Sequence, residues 1–130
     1  MITMSDPVLI NIKLDGTTDE IYCEKISSEI YRCLESSLLI ESIKYGCEIR
    51  VEDVNGALNF IKLDKKSPYT TSCYIWSKEI IESEKCKKMR DEIIRIGGFW
   101  ESMMGGILMI HLPITKRNEI DRLLDMMKDE

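Results

Sequence analysis

His111 is the sole histidine of the chain, so acid–base chemistry at neutral pH would fall to it first. An imidazole works as a general base when a nucleophile or a carboxylate stands beside it. His111 lies near the end of an apolar run, in phase with Ile107 and Met109, where a structural strand-end histidine is the expected role. Five cysteines follow, Cys23, Cys33, Cys47, Cys73 and Cys86. None carries a local signature that would mark it as a nucleophile paired with His111. Their spacing contains no C-x-x-C, the usual form of a zinc knuckle or redox pair. An odd count and no secretory leader point to reduced, mostly buried thiols in a cytoplasm. The early apolar run Val8-Leu9-Ile10 is broken by Asn11 and Lys13, and nothing later approaches membrane-spanning length. Neither a metal nor another cofactor is expected, and the residue types point to a protein that is not an enzyme.

Charge offers more. The net charge is −5. Residues 1–66 hold 12 acidic and 8 basic residues, and residues 67–130 hold 11 and 10. The acidity is therefore concentrated in the first half, which suits a basic partner and disfavours nucleic acid, whose phosphates need clustered Lys and Arg. Glu20, Glu24, Glu48, Glu52 and Asp53 are the candidate partner-binding acids. Glu48 and Glu52, four apart in a period-two element, share a strand face. The plainer role for such a face is solvent exposure. Trp100, beside Phe99, is a candidate apolar anchor if exposed, because tryptophan is enriched in binding hot spots; burial in the core is its ordinary role. Lys85, Lys87, Lys88 and Arg90 form a small basic patch. RNA-binding sheets display aromatic residues on adjacent strands, and Ile107–Leu112 has none, so a solvated helix face is expected. Gly97-Gly98 and Gly105-Gly106 lack the spacing of a phosphate loop and read as a helix stop and a hairpin turn.

The elements that must position these residues are most legible over residues 69–128. Tyr69–Trp76 is β-branched and aromatic on both faces, which predicts a central strand. Ser77 or Ser83 can cap the following helix. Cys86, Met89, Ile93 and Ile96 form its apolar stripe, and Gly97 ends it. Two strands, Phe99–Met104 and Ile107–Leu112, come next, joined by Gly105-Gly106, with Pro113 closing the second. Thr115 or Asn118 can cap a last helix with Ile120, Leu123, Leu124 and Met127 at i, i+3, i+4 and i+7.

Upstream, residues 1–7 read as a loose start. Val8, Ile10, Ile12 and Leu14 alternate as a strand with one buried face. Asp15 to Thr18 is turn chemistry. Ile21–Ile26 and Ile30–Leu34 read as strands, and residues 35–45 as either a short strand or a helical turn before Gly46. Cys47, Ile49 and Val51 alternate with charged residues, Asn55-Gly56 is the favoured two-residue turn, and Ala57–Leu63 returns. The expected architecture is α+β: an antiparallel β-rich N-terminal half followed by a βαββα unit with two helices packed on the sheet. It is expected as a single domain, residues 1–130, with lobes at 1–66 and 67–130.

Tyr31-Arg32, the step to Gly46, Val51, Gly56-x-Leu58-x-Phe60, Thr70-Thr71, Ile96-Gly97 and Ile107–Pro113 with its Leu-bearing helix form a recognisable series. With them, most of residues 8–126 resembles an uncharacterised family of small bacterial proteins, known only as a domain of unknown function. That family's pattern places an acidic residue after the glycine, where this chain has Cys47. The arrangement is also similar to that of immunity proteins, which neutralise a partner toxin in bacterial competition. The resemblance implies a non-enzymatic toxin inhibitor, covering the active site of a basic toxin such as a nuclease. A small-ligand- or RNA-binding regulator is the alternative. A third possibility is an enzyme in which His111 and a cysteine meet in a cleft.

Overall fold

Two short turns begin the fold. In the computed structural model, which describes residues 6–128, Asp15 and Gly16 have φ of 51° and 79°, and Asn55 and Gly56 have 55° and 85°. Both pairs are two-residue turns with positive φ at each central position, the form whose twist matches the flanking strands. The first joins β1 (Val8–Leu14) to β2 (Thr17–Lys25), and the second joins β4 (Glu48–Val54) to β5 (Ala57–Lys65). The short β3 (Ile30–Cys33) pairs antiparallel with both β2 and β4. The loose start expected over residues 1–7 lies, for residues 1–5, outside the described residues.

These five strands close into a barrel, β1-β2-β3-β4-β5, sealed by parallel pairing of β1 with β5 at Asn11 and Asn59. Its interior is the apolar face of each strand: Ile10, Ile12, Ile21, Cys23, Tyr31, Cys33, Ile49 and Val51. The β4–β5 register slips twice, leaving Ile61 and Asp64 of β5 without an opposite residue. A bulge of one residue reverses the inside–outside phase of the strand beyond it. Leu58, Phe60 and Leu63 therefore all pack against the core, while Ile61 is 48% exposed. Residues 35–45 are neither strand nor helix. They fold Ile40 and Ile43 into the core, held by Ser37, whose Oγ donates to Asp19 (2.6 Å) and accepts from Leu39 N and Ile40 N.

The chain divides into two compact units, residues 1–68 and 69–130. The second contains a three-stranded sheet of order β6-β8-β7, with β6 Tyr69–Ile75, β7 Phe99–Met103 and β8 Ile107–Pro113. The expectation that Tyr69–Trp76 is central is not met. β6 is an edge strand, with Cys73 and Ile75 exposed and Tyr74 and Trp76 packed on the core. The centre belongs to β8, whose residues from Leu108 to Leu112 are buried on both faces.

The predicted architecture also needs correction. The N-terminal half is a closed barrel rather than a simple antiparallel layer, and the second half is not a sheet carrying two packed helices. The reason is local. Ser77 and Ser83 both act as caps, so the chain forms a single turn, α1 (Lys78–Ile81), and then α2 (Glu84–Arg95). At the C-terminus neither Thr115 nor Asn118 caps anything: after Pro113 the chain runs as a 3-10 helix over Ile114–Glu119 and only then enters α3 (Ile120–Asp125). Leu123 is its one fully buried residue. The core of this unit joins Ile81, Cys86, Met89, Ile93 and Leu123 to Leu108, Ile110 and Leu112. The hairpin turn places Met104 and Gly105 at positive φ (53° and 73°), so a methionine takes one of the positions expected to fall to glycine.

Glu92 ties the helices together. Arg122 Nη1 donates to its carboxylate at 2.7 Å, and Arg95 Nε bonds it from the same helix. These two guanidinium hydrogen bonds, Arg95 first, hold the Glu92 carboxyl down at about 2. A depressed carboxyl stabilises the fold above its unfolded value and loses that contribution as pH falls through its folded value. Thermal unfolding scans from neutral pH downward should show the wild type losing stability between pH 4.5 and about 2 more steeply than Glu92→Gln, which lacks this titration.

Gly98 lies where α2 meets β8. A Cβ there would stand 2.6 Å from His111 O, 2.9 Å from Ile93 Cγ2 and 3.0 Å from Leu112 Cδ2. Two of these neighbours are core side chains and the third is backbone, so none can yield cheaply. Gly98→Ala should cost about 1–3 kcal/mol, the usual range for overpacking, read as a lower denaturation midpoint in urea.

Candidate functional site

The outward face of the barrel collects charge by register. Glu20 and Glu24 of β2 point away from the buried Ile21 and Cys23, as do Arg32 of β3 and Glu48, Arg50 and Glu52 of β4 from their buried neighbours. Glu24 stands opposite Arg32, and Arg32 opposite Glu48. Arg32 bonds Glu24 at 3.1 Å and approaches Glu48 at 4.0 Å. Two of the five candidate acids therefore flank an arginine. Glu20, Glu52 and Asp53 are exposed, with Asp53 Oδ1 accepting from Gly56 N at 2.9 Å and so bracing the turn.

Glu52 and Asp53 also line an open cleft of about 580 Å³ with Glu29, Arg50, Val51 and Ile61. Arg50 Nη1 bonds Glu29 at 2.6 Å, and its Nη2 lies 3.5 Å from Asp64. The cleft thus presents an arginine held by carboxylates, further acids at the hairpin end, and the bulged Ile61. Glu29, Asp64 and Ile61 were not among the sequence candidates. Asp64 reads as linker. Alternation alone turns Ile61 away from the inward Phe60, and what the bulge changes is the phase of Leu63 beyond it.

Trp100 lies in the second unit, away from this constellation in the chain. It is half-buried against the helical core, and Arg90 Cζ sits 4.6 Å from its ring centroid, a cation–π contact. Arg90 is therefore engaged with Trp100, while Lys85, Lys87 and Lys88 are exposed on α2.

His111 has found the partners that sequence could not place. It is 0% exposed, with Nδ1 2.9 Å from Thr71 Oγ1 and Nε2 2.5 Å from Glu101 Oε2. Thr71 is its direct neighbour on β6, and Glu101 is its diagonal neighbour on β7. Phe99, opposite it on β7, stacks on the ring with centroids 6.3 Å apart. The row hydroxyl–imidazole–carboxylate has the order of a proton relay, but its imidazole is sealed from solvent. What it does mechanically is link all three strands. Cys73 stands on β6 in the diagonal position that Glu101 holds on β7, and Cys86 belongs to the helical side of the sheet. Among the described residues no group of three or more His, Cys, Asp or Glu is arranged to hold a metal ion, and no helix is long and apolar enough to cross a membrane.

No protein-family model matches the chain, and no curated protein matches it. Its fold is similar to that of a crystal structure described as a hypothetical protein from Neisseria gonorrhoeae, with a TM-score of 0.57 and 16% sequence identity, covering 95% of this chain and 86% of that one. At that identity the likeness concerns the fold alone. A hypothetical protein as structural neighbour accords with the resemblance to an uncharacterised family, and it carries nothing about toxin immunity.

A buried imidazole that loses a hydrogen-bond partner costs about 1–3 kcal/mol. Glu101→Ala should lower the unfolding free energy by that order, read as a lower urea midpoint. An unchanged midpoint would show that the row does not hold the sheet together.

Proposed function

We propose that the protein is a non-enzymatic binding protein that receives a basic partner at the acidic barrel cleft. The finer reading is an immunity protein whose partner is a bacterial toxin with a basic active site, such as a nuclease. The grouping of exposed Glu52 and Asp53 beside Glu29 and the outward Ile61 carries this reading. Carboxylates at an open rim steer a cationic surface into encounter. An exposed aliphatic side chain among them then supplies area to bury, which fixes the complex once docked. Trp100, with one face under Arg90, is the weaker of the two apolar contacts, and Ile61 is the anchor we favour. Arg50 serves this role as well: held by Glu29 and Asp64, it keeps the acids from repelling one another in the unbound state.

Affinity capture of the tagged chain from its host at moderate salt should recover one basic protein in stoichiometric amount. Glu52→Lys should then weaken that complex at least tenfold, on the order of 1.4 kcal/mol, chiefly through a slower association rate. Recovery of nothing, of nucleic acid alone, or of a complex indifferent to Glu52→Lys would overturn the reading. A small cationic ligand would show instead as thermal stabilisation without a protein partner.

A further inference from the structure

Three of the five cysteines share the barrel core, and the binding reading above makes no use of them. Cys23 on β2, Cys33 on β3 and Cys47 just before β4 are each 0% exposed. Cys23 and Cys33 stand directly opposite one another across the antiparallel β2–β3 pair, with sulfurs 3.8 Å apart. The ladder fixes which kind of pair this is. Leu34 N donates to Tyr22 O at 2.8 Å, and Cys33 N donates to Cys47 O at 2.9 Å. The backbone N–H and C=O of Cys33 therefore point toward the Cys47 side and away from Cys23. Cys23 and Cys33 form a non-hydrogen-bonded pair, the narrow kind, with Cα atoms about 4.5 Å apart and side chains close. That separation falls within the roughly 4.4–6.8 Å that a disulfide spans. Both side chains already point inward on the same face, so a sulfur–sulfur bond asks for a rotamer adjustment and no change of register.

We propose that Cys23 and Cys33 are an oxidisable pair, which closes a reversible disulfide between β2 and β3 on reaction with a low-molecular-weight disulfide. One thiol attacks the reagent and forms a mixed disulfide, releasing one reagent thiol. The second cysteine attacks that mixed disulfide and releases the other. Two S–H bonds break and one protein S–S bond forms. The two electrons and two protons reduce the reagent's S–S bond to two thiols.

The closed barrel holds the pair unreactive. Hydrogen bonding to Cys23 and burial push the Cys33 thiol up, and hydrogen bonding to Cys33 and burial push Cys47 up, so in place Cys33 and Cys47 are poor nucleophiles. Reaction passes through local opening of β3. This strand has four residues and is paired at three positions on each side, and few pairings give a low local opening cost. Arg32 and Glu24 are the next pair along the same two strands. Closing the disulfide would thus fix the backbone under the outward charged row, whatever partner that row serves.

The folded full-length chain, incubated with glutathione disulfide, quenched in acid, alkylated and mapped by peptide mass spectrometry, tests this. The exposed Cys73 reports that the reagent is active. The expected product is a peptide linking Cys23 to Cys33, opened by dithiothreitol and still formed in Cys47→Ser. The oxidised protein should also unfold at a higher temperature than the reduced one. Recovery of Cys23 and Cys33 as free thiols while Cys73 is fully modified would overturn the proposal, as would a link from Cys33 to Cys47. The wild-type map decides the matter even if a cysteine variant fails to fold.

Discussion

The first unit depends on a single seam. Its five strands succeed one another as antiparallel neighbours, so the first and last run in the same direction. Closure therefore requires a parallel contact between β1 and β5, the kind that no hairpin supplies. The register slips of β5 at Ile61 and Asp64 follow its contact with β1 at Asn59. The slip at Ile61 returns Leu63 to the core, while Ile61 itself lines the acidic cleft. The inward packing at the end of β5 rests on this local irregularity.

The second unit is built around β8. Leucines and isoleucine on one face meet the helices, and Met109 and His111 lie on the other. A polar ring buried at the centre of a sheet is tolerated because each neighbouring strand contributes a hydrogen-bonding group, Thr71 from one side and Glu101 from the other. The close approach at Gly98 matters to the same strand, because it is the backbone carbonyl of His111 that a Cβ would strike.

What sequence made legible was local. The strand at Val8–Leu14, the Asn55-Gly56 turn and the stop at Gly97 each depend on a few adjacent residues, and the structure places them as read, while Ser77 and Ser83, read as alternatives, both cap. What escaped depends on residues distant in the chain. Barrel closure joins residue 11 to residue 59. The His111 row spans separations of 40 and 10 residues, and a diagonal neighbour such as Glu101 emerges only once register is known. Tyr69–Trp76 misled because two apolar faces are taken as the sign of a central strand, while strand order is set by the later hairpin. Of the candidate acids, the shared face of Glu48 and Glu52 was readable from period two; their separation into an Arg32 row and a cleft was not, because it rests on cross-strand partners.

The position of β6 bears on solubility. It is an edge strand of its sheet, its seven residues Tyr69–Ile75 carry no charge, and Ile75 is 83% exposed. Its counterpart at the other edge, β7, includes Glu101. Uncharged edge strands are templates for foreign strands, and proteins restrain them with prolines and charges at their margins. Here Pro68 precedes β6 and Lys78 lies shortly after it, the residue types that restrain such a strand at its margins.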